Sequence, residues 1–165
     1  MKKVTDNIVL ENATVRFRNF SGKEGKFNPA GKRNFCLFLD PDLGSKLRDD
    51  GWNIKQLAPR DDDDHPQDYI QVEVSYRNIP PKIFLINSSG KQLLNEDTID
   101  ILDWAEIENV DVIVRPYNWT ANGNHGVKGY VKSMYVTIAE DEFEKKYADL
   151  GPSEDDDVEE ELPFL

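Results

Sequence analysis

One cysteine stands in the 165 residues, so no internal disulfide can form. Set between Phe35 and Leu37, Cys36 reads as a small buried hydrophobe. No apolar run approaches the roughly 18–20 residues that a membrane helix needs, and Met1-Lys2-Lys3-Val4-Thr5-Asp6 lacks the apolar stretch of a signal peptide. These absences set the expectation of a cytoplasmic protein with no membrane partner. Signatures of catalysis are as thin. His65 sits among aspartates and His125 among Gly and Asn, with no HExxH, no phosphate-binding glycine loop and no Gly-x-Ser-x-Gly elbow. The run Asp61-Asp62-Asp63-Asp64 has adjacent acids, without the spacing of a calcium loop, and reads as a solvated loop. A nuclease would gather carboxylates around metal ions, and only Asp111 and Glu73 offer themselves. The expectation is no enzyme, no cofactor and no metal.

What the chain has in excess is acid, unevenly spread. The formal charge is -12. Residues 1–60 nevertheless carry 12 Lys or Arg against 7 Asp or Glu, whereas residues 151–165 carry 7 acids and no base. Within residues 12–39, Arg16, Arg18, Lys23, Lys26, Lys32 and Arg33 face a single acid, Glu24. Local field counts for more than net charge when a polyanion lies in a groove. This segment is therefore a candidate electrostatic footprint, or else a solvated surface.

Alternation marks the strands. Residues 8–20 read as a first strand, with Thr14, Arg16, Arg18 and Phe20 on one face and Val15 and Phe17 on the other. Residues 21–31, with three glycines and a proline, form a basic loop carrying Phe27. Lys32 to Leu39 is a central strand, apolar on both faces. Asp40-Pro41-Asp42 starts a short helix over Leu43 to Asp50, and Trp52 to Leu57 is a brief strand. Strands follow at 69–75, 83–86, 110–119 and 127–138. Residues 94–104 supply a helical turn or two, with Ile99, Leu102 and Trp104 inward, and residues 140–149 a terminal helix stopped by Gly151-Pro152. On the last strand Met134, Val136 and Ile138 continue the parity of Lys128, Tyr130 and Lys132. Either the strand passes from solvent into the core, or a bulge near Ser133 resets its faces. Many strands, short helices and glycine-rich connections predict an all-β, closed or nearly closed antiparallel barrel over residues 1–150, followed by an acidic tail over 151–165.

Cations interleave with aromatics on three of these strands. Arg16, Arg18 and Phe20 lead into Lys23, Lys26 and Phe27 of the loop. Arg115, Tyr117 and Trp119 share a face, as do Lys128, Tyr130 and Lys132. Single-stranded nucleic acid is held by that combination, because cations track the backbone while rings stack on unpaired bases at roughly 1–3 kcal/mol each. Phe20, Trp119 and Tyr130 could equally be packing residues at a barrel rim.

The tail, Ser153 to Glu161, repels itself and has little apolar area to bury, so disorder is expected. It ends in Leu162-Pro163-Phe164-Leu165, an apolar tip with no solubilising purpose and the form of a docking signal. The body pattern Ala13-Thr14-Val15-Arg16-Phe17, Val110 to Tyr117 and Gly129-Tyr130-Val131-Lys132, joined to Asp155-Asp156-Asp157-Val158 and Pro163-Phe164, resembles the bacteriophage single-stranded DNA-binding proteins. That resemblance implies an OB-fold body, an acidic tail with an aromatic near its end, and residence in a host cytoplasm. It also implies coating of template DNA in replication or recombination and contacts to a polymerase, primase or helicase. Bacterial single-strand binding proteins end in a similar Pro-Phe, whereas here Leu165 follows Phe164.

Together these readings predict non-catalytic binding of single-stranded DNA. The expected contacts are Arg16, Arg18, Phe20, Lys23, Lys26, Phe27, Lys32, Arg33, Arg115, Tyr117, Trp119, Lys128, Tyr130 and Lys132. Asp155, Asp156, Asp157 and Leu162 to Leu165 would recruit a replication partner and compete for the DNA groove. Exposed strand edges or tail exchange could give a homodimer. The alternative is a viral adaptor whose basic face binds a protein.

Overall fold

The computed structural model describes residues 3–59, 65–77 and 79–140. Among these the chain runs β1 (Ile8–Leu10), β2 (Thr14–Asn19), β3 (Arg33–Leu39), α1 (Pro41–Asp50), β4 (Lys55–Leu57), β5 (Gln67–Val74), β6 (Lys82–Asn87) and β7 (Gly90–Leu94). A 3-10 turn (Ile99–Asp103), β8 (Ile107–Ala121) and β9 (Asn124–Ile138) follow. The acidic tail, its tip and the expected helix over 140–149 fall, but for Glu140, outside the described residues.

The nine strands make one sheet ordered β1-β8-β9-β5-β3-β2, with β4 beside β5 and the β6-β7 hairpin beside β9. The expected closed antiparallel barrel does not form. The outer strands β1 and β2 pair with β8 and β3 and not with each other. Asn12, with φ of 50°, breaks the chain between them, and Ala13 N–H just beyond it donates to Val110 O of β8. Nor is the sheet wholly antiparallel. The long strand β9 runs parallel to β5 through Val72–Gly129 and Glu73–Tyr130, then parallel to β6 from Lys82–Ser133 to Ile86–Thr137.

One face of the sheet is the core. It takes Phe35, Leu37 and Leu39 from β3, Ile70, Val72 and Val74 from β5, and Val110, Val112 and Val114 from β8, all buried. On β9 the inward residues are Val131 and then Met134 and Val136. Ile113 faces Ser133 while Val114 faces Val131, so Lys132 is the extra residue of a bulge. That bulge is the physical answer to the ambiguous parity of this strand.

A second bulge divides the expected first strand. Arg16 faces Cys36 but Asn19 faces Asn34, and Phe17 takes a φ of 55°. Beyond it Phe20 turns inward, is fully buried, and stacks on Phe35 with ring centroids 5.2 Å apart. Asp103 accepts hydrogen bonds from the Phe20 and Ser21 N–H groups and fixes that turn. Ile99 and Leu102 are buried as expected, but Trp104, one residue past the 3-10 turn, is 74% exposed.

Helix α1 begins as its sequence dictates. Asp40 caps it by accepting from Leu43 N–H at 2.8 Å, Pro41 follows, and Gly51 ends it in the left-handed region. Gly44 sits where the helix crosses the buried Asp68, whose carboxylate takes hydrogen bonds from Gln56 (2.8 Å) and Arg48 (3.3 Å). A side chain at Gly44 would overlap that carboxylate.

Candidate nucleic-acid interface

Residues directly opposite on paired strands point to the same side of a sheet. The register therefore assembles the face opposite the core row by row. Thr14, Phe38, Tyr69 and Lys55 form one row across β2, β3, β5 and β4. Arg16, Cys36 and Gln71 form the next. Asn34, Glu73, Tyr130 and Arg115 form a third, across β3, β5, β9 and β8. Along the β8-β9 ribbon follow Tyr117 with Lys128, and Trp119 with Gly126.

Within that face, Arg115 lies over the Tyr130 ring at 4.9 Å, and Tyr117 meets Tyr130 edge-to-face at 6.0 Å. Tyr117 is 50% exposed. Trp119 covers Gly126, which has no Cβ to obstruct it. Three cavities that share lining residues, together termed the trough, lie beside Trp119 and Tyr130. Asn118, Trp119, His125 and Gly126 line one end, and Asn53 and Val127 connect this end to a middle portion lined by Lys32, Lys55, Gln71 and Lys128. Lys32 and Glu73 carry it on to Arg33, Tyr76, Arg77 and Tyr130.

Two carboxylates occupy trough cations. Glu73 pairs with Lys128 at 3.6 Å, and Glu96 pairs with Arg33 at 3.4 Å. Arg33 also lies 5.8 Å over the Tyr76 ring. Burial pushes the Tyr76 phenol up to about 12, with Arg33 pulling it down and Glu96 adding to the rise. The Arg33 Nε, Tyr76 hydroxyl and Arg115 Nε are buried with no hydrogen-bond partner among the described residues. Buried polar atoms are normally satisfied, and two of these three, the Arg33 Nε and the Tyr76 hydroxyl, belong to residues that line the trough.

The basic loop between β2 and β3 borders this trough through Lys32. Its base is closed by Gly31 N–H donating to Gly22 O at 2.7 Å, and Asn28 Nδ2 donates to the carbonyls of Lys23, Pro29 and Lys32. Asn34 donates in turn to Asn28 Oδ1 at 2.7 Å. This framework leaves Lys23 and Lys26 in solvent and Phe27 91% exposed, with Lys26 5.4 Å over its ring.

Two expected contacts lie elsewhere. Phe20 is in the core, its ring face taken by Phe35. Arg18 is turned by the Phe17 bulge and donates to Leu102 O and Ala105 O, both at 2.8 Å, as a brace for the 3-10 turn. Arg16 stays outward over Phe38 at 5.6 Å, beside Phe17, which the bulge leaves 63% exposed. Lys132 is exposed on the β9 bulge. Sequence reasoning missed Lys55, Tyr76, Arg77 and the ring series Phe17, Phe38 and Tyr69. Alternation within β5 already places Tyr69 beside Gln71 and Glu73, but Lys55 joins them only through the β4-β5 register. Among the described residues no three His, Cys, Asp or Glu side chains gather as a metal site, and no helix is long and apolar enough to cross a membrane.

Cations and rings gathered on one sheet face are the combination that holds unpaired nucleic-acid strands in general. The family described as "Putative phage ssDNA-binding domain" matches residues 1–164, and the chain belongs to it. Among solved structures, the fold is similar to the single-stranded DNA-binding protein from bacteriophage Enc34 in complex with ssDNA. The TM-score is 0.55 at 12% identity, over 82% of this chain and 88% of that one. A second structure of the Enc34 protein gives 0.52 at 11% identity, over 82% of each chain. No curated protein matches the sequence.

Proposed function

We propose that this chain binds single-stranded DNA without catalysing a reaction, holding the strand along the trough that crosses β3, β5 and β9 and continues down the β8-β9 ribbon. The observation that carries this reading is the register. It brings Lys55, Lys128 and Arg115 onto the sheet face that presents Tyr117, Tyr130 and Trp119, and Lys32 lines the cavity beside them. Cations in line supply attraction to phosphate, and rings supply stacking that any base satisfies, so sequence preference is weak. Membership of the phage family and the fold shared with the Enc34 protein support the same assignment. The basic loop, with Lys23, Lys26 and Phe27 at its tip, closes over the strand from the Lys32 side.

The acidic tail over 151–165 competes with DNA for the trough and carries Phe164 to a replication partner during phage replication or recombination. Anisotropy titrations with labelled single-stranded and duplex DNA across a salt series test the assignment. Single-strand affinity that exceeds duplex affinity and falls with salt is expected, and equal or absent binding to both forms would overturn it. Removing residues 151–165 tightens binding at low salt if the tail competes, and unchanged affinity there would remove that role.

A further inference from the structure

The β9 bulge creates a second cluster of rings and cations beyond the trough. On β8 the residues 111, 113, 115 and 117 lie on one face, because their neighbours Val110, Val112 and Val114 are all buried. Arg115 faces Tyr130, and Asp111 faces Tyr135. Tyr135 therefore shares the outer side with Tyr130, about 13 Å further along at about 3.4 Å per residue. Without the bulge at Lys132, Tyr135 would point into the core.

The parallel register with β6 sets Phe84 beside Tyr135, and their rings stack with centroids 5.1 Å apart and planes 17° apart. Lys91 places its ammonium 4.6 Å over Phe84 and 5.9 Å from the Tyr135 ring. Lys82, in the same outward row of β6, and Lys132, on the bulge, are exposed nearby. The facing acid, Asp111, is engaged by the Asn12 N–H at 2.9 Å. Tyr135 is 38% exposed, so the cluster stands open.

We infer that Phe84, Tyr135 and Lys91 form a second stacking subsite for unpaired bases, occupied when a strand held in the trough is long enough to pass Lys132. This inference rests on the proposed single-strand binding and extends its footprint. Two stacked rings present an extended aromatic surface, and ring stacking is the contact that tolerates any base. The Lys91 ammonium, on its flexible four-carbon stem, swings from the ring to a phosphate as a base arrives. Lys82 and Lys132 flank the path with positive charge. Three lysines around two rings suit a polyanion that carries rings of its own, which favours the nucleic-acid strand over an apolar protein segment.

The test measures affinity of the full chain for oligothymidylates of graded length, from about 4 to about 16 nucleotides, the span of single-strand site sizes. The double variant Phe84→Leu/Tyr135→Leu keeps apolar bulk and removes both rings, and circular dichroism and thermal melting establish that it folds. Its affinity is expected to match wild type for the shortest oligomers that bind and to fall by about 5- to 150-fold for the longest. Lys91→Gln is expected to lower the salt slope by about 0.7 for long oligomers alone. Tyr130→Leu, in the trough, should weaken both lengths. Unchanged long-oligomer affinity in the double variant, with Tyr130→Leu still weakening both, would overturn the second subsite and leave the trough assignment standing. Equal losses at all lengths would also overturn it, by making the cluster part of the trough. Absent binding by wild type at every length would defeat the function itself. Unaltered DNA affinity with a changed sedimentation coefficient would assign the cluster to contact between copies of the chain and overturn the proposal.

Discussion

Neutralising Glu73 and Glu96 together should tighten single-strand binding and steepen its dependence on salt. Six cations line the trough or the sheet face beside it: Lys32, Arg33, Lys55, Arg77, Lys128 and Arg115. Glu73 holds Lys128 at 3.6 Å and Glu96 holds Arg33 at 3.4 Å, which leaves four with no opposing carboxylate among the described residues. Each phosphate neutralised on a single strand contributes about -0.7 to the slope of log affinity against log salt. Four free cations give a slope near about -2.8, and six give about -4.2. Between 50 and 200 mM salt the wild-type affinity then falls by about 50-fold and that of Glu73→Gln/Glu96→Gln by about 300-fold. At 50 mM the variant is the tighter binder. Folding should be little affected, because Glu96 and Lys128 are well exposed and such pairs contribute about 0–1 kcal/mol. Anisotropy with a labelled oligothymidylate at four salt concentrations reads both slopes. Parallel lines for the two proteins would refute the claim that these carboxylates occupy phosphate-binding cations.

Three further outcomes follow from the same coordinates. Gly44→Ala, which stabilises an ordinary helix by about 1 kcal/mol, should destabilise this protein by about 1–3 kcal/mol in urea unfolding. The added methyl overlaps Asp68, which Gln56 and Arg48 hold in place. Phe20→Ala should cost about 3–5 kcal/mol of stability while leaving DNA affinity per folded molecule unchanged, which separates the core ring from the stacking rings. Tyr76, held up to about 12 by burial, with Arg33 opposing and Glu96 adding, should ionise well above the ordinary 10.0 in ultraviolet difference spectra. Its folded value lies above the ordinary 10.0, so its contribution to stability is complete below pH 10 and is lost as pH rises towards 12. Tyr76→Phe should flatten that decline.

The legible parts were those written in local chemistry. Asp40-Pro41 starts α1 as expected because capping needs only neighbours in sequence. Alternation in Tyr69-Ile70-Gln71-Val72-Glu73-Val74 survives as β5 with Ile70, Val72 and Val74 buried. Pairing was hidden for the opposite reason. The split of β9 between β5 and β6, and the separation of β1 from β2, are long-range choices that no window of residues contains. The β7 strand was also missed, since Gly90-Lys91-Gln92-Leu93-Leu94 buries only Leu94 and shows little alternation.

The departure of Phe20 and Arg18 from the expected strand face has one origin. Parity was counted through Phe17, where a left-handed residue adds a step to β2 and reverses every face after it. The same device on β9 works in the protein's favour. Val131 points inward before Lys132, and Met134 and Val136 point inward after it. The outward positions on either side are then Tyr130 and Tyr135, each on a different partner strand, β5 and β6. A regular strand of this sequence would have to bury Lys132 or expose Met134, and either costs more than a bulge that leaves a lysine in solvent. One extra residue thus settles the core and aims two tyrosines at the same side, so the rings on β9 follow from how its apolar residues must pack.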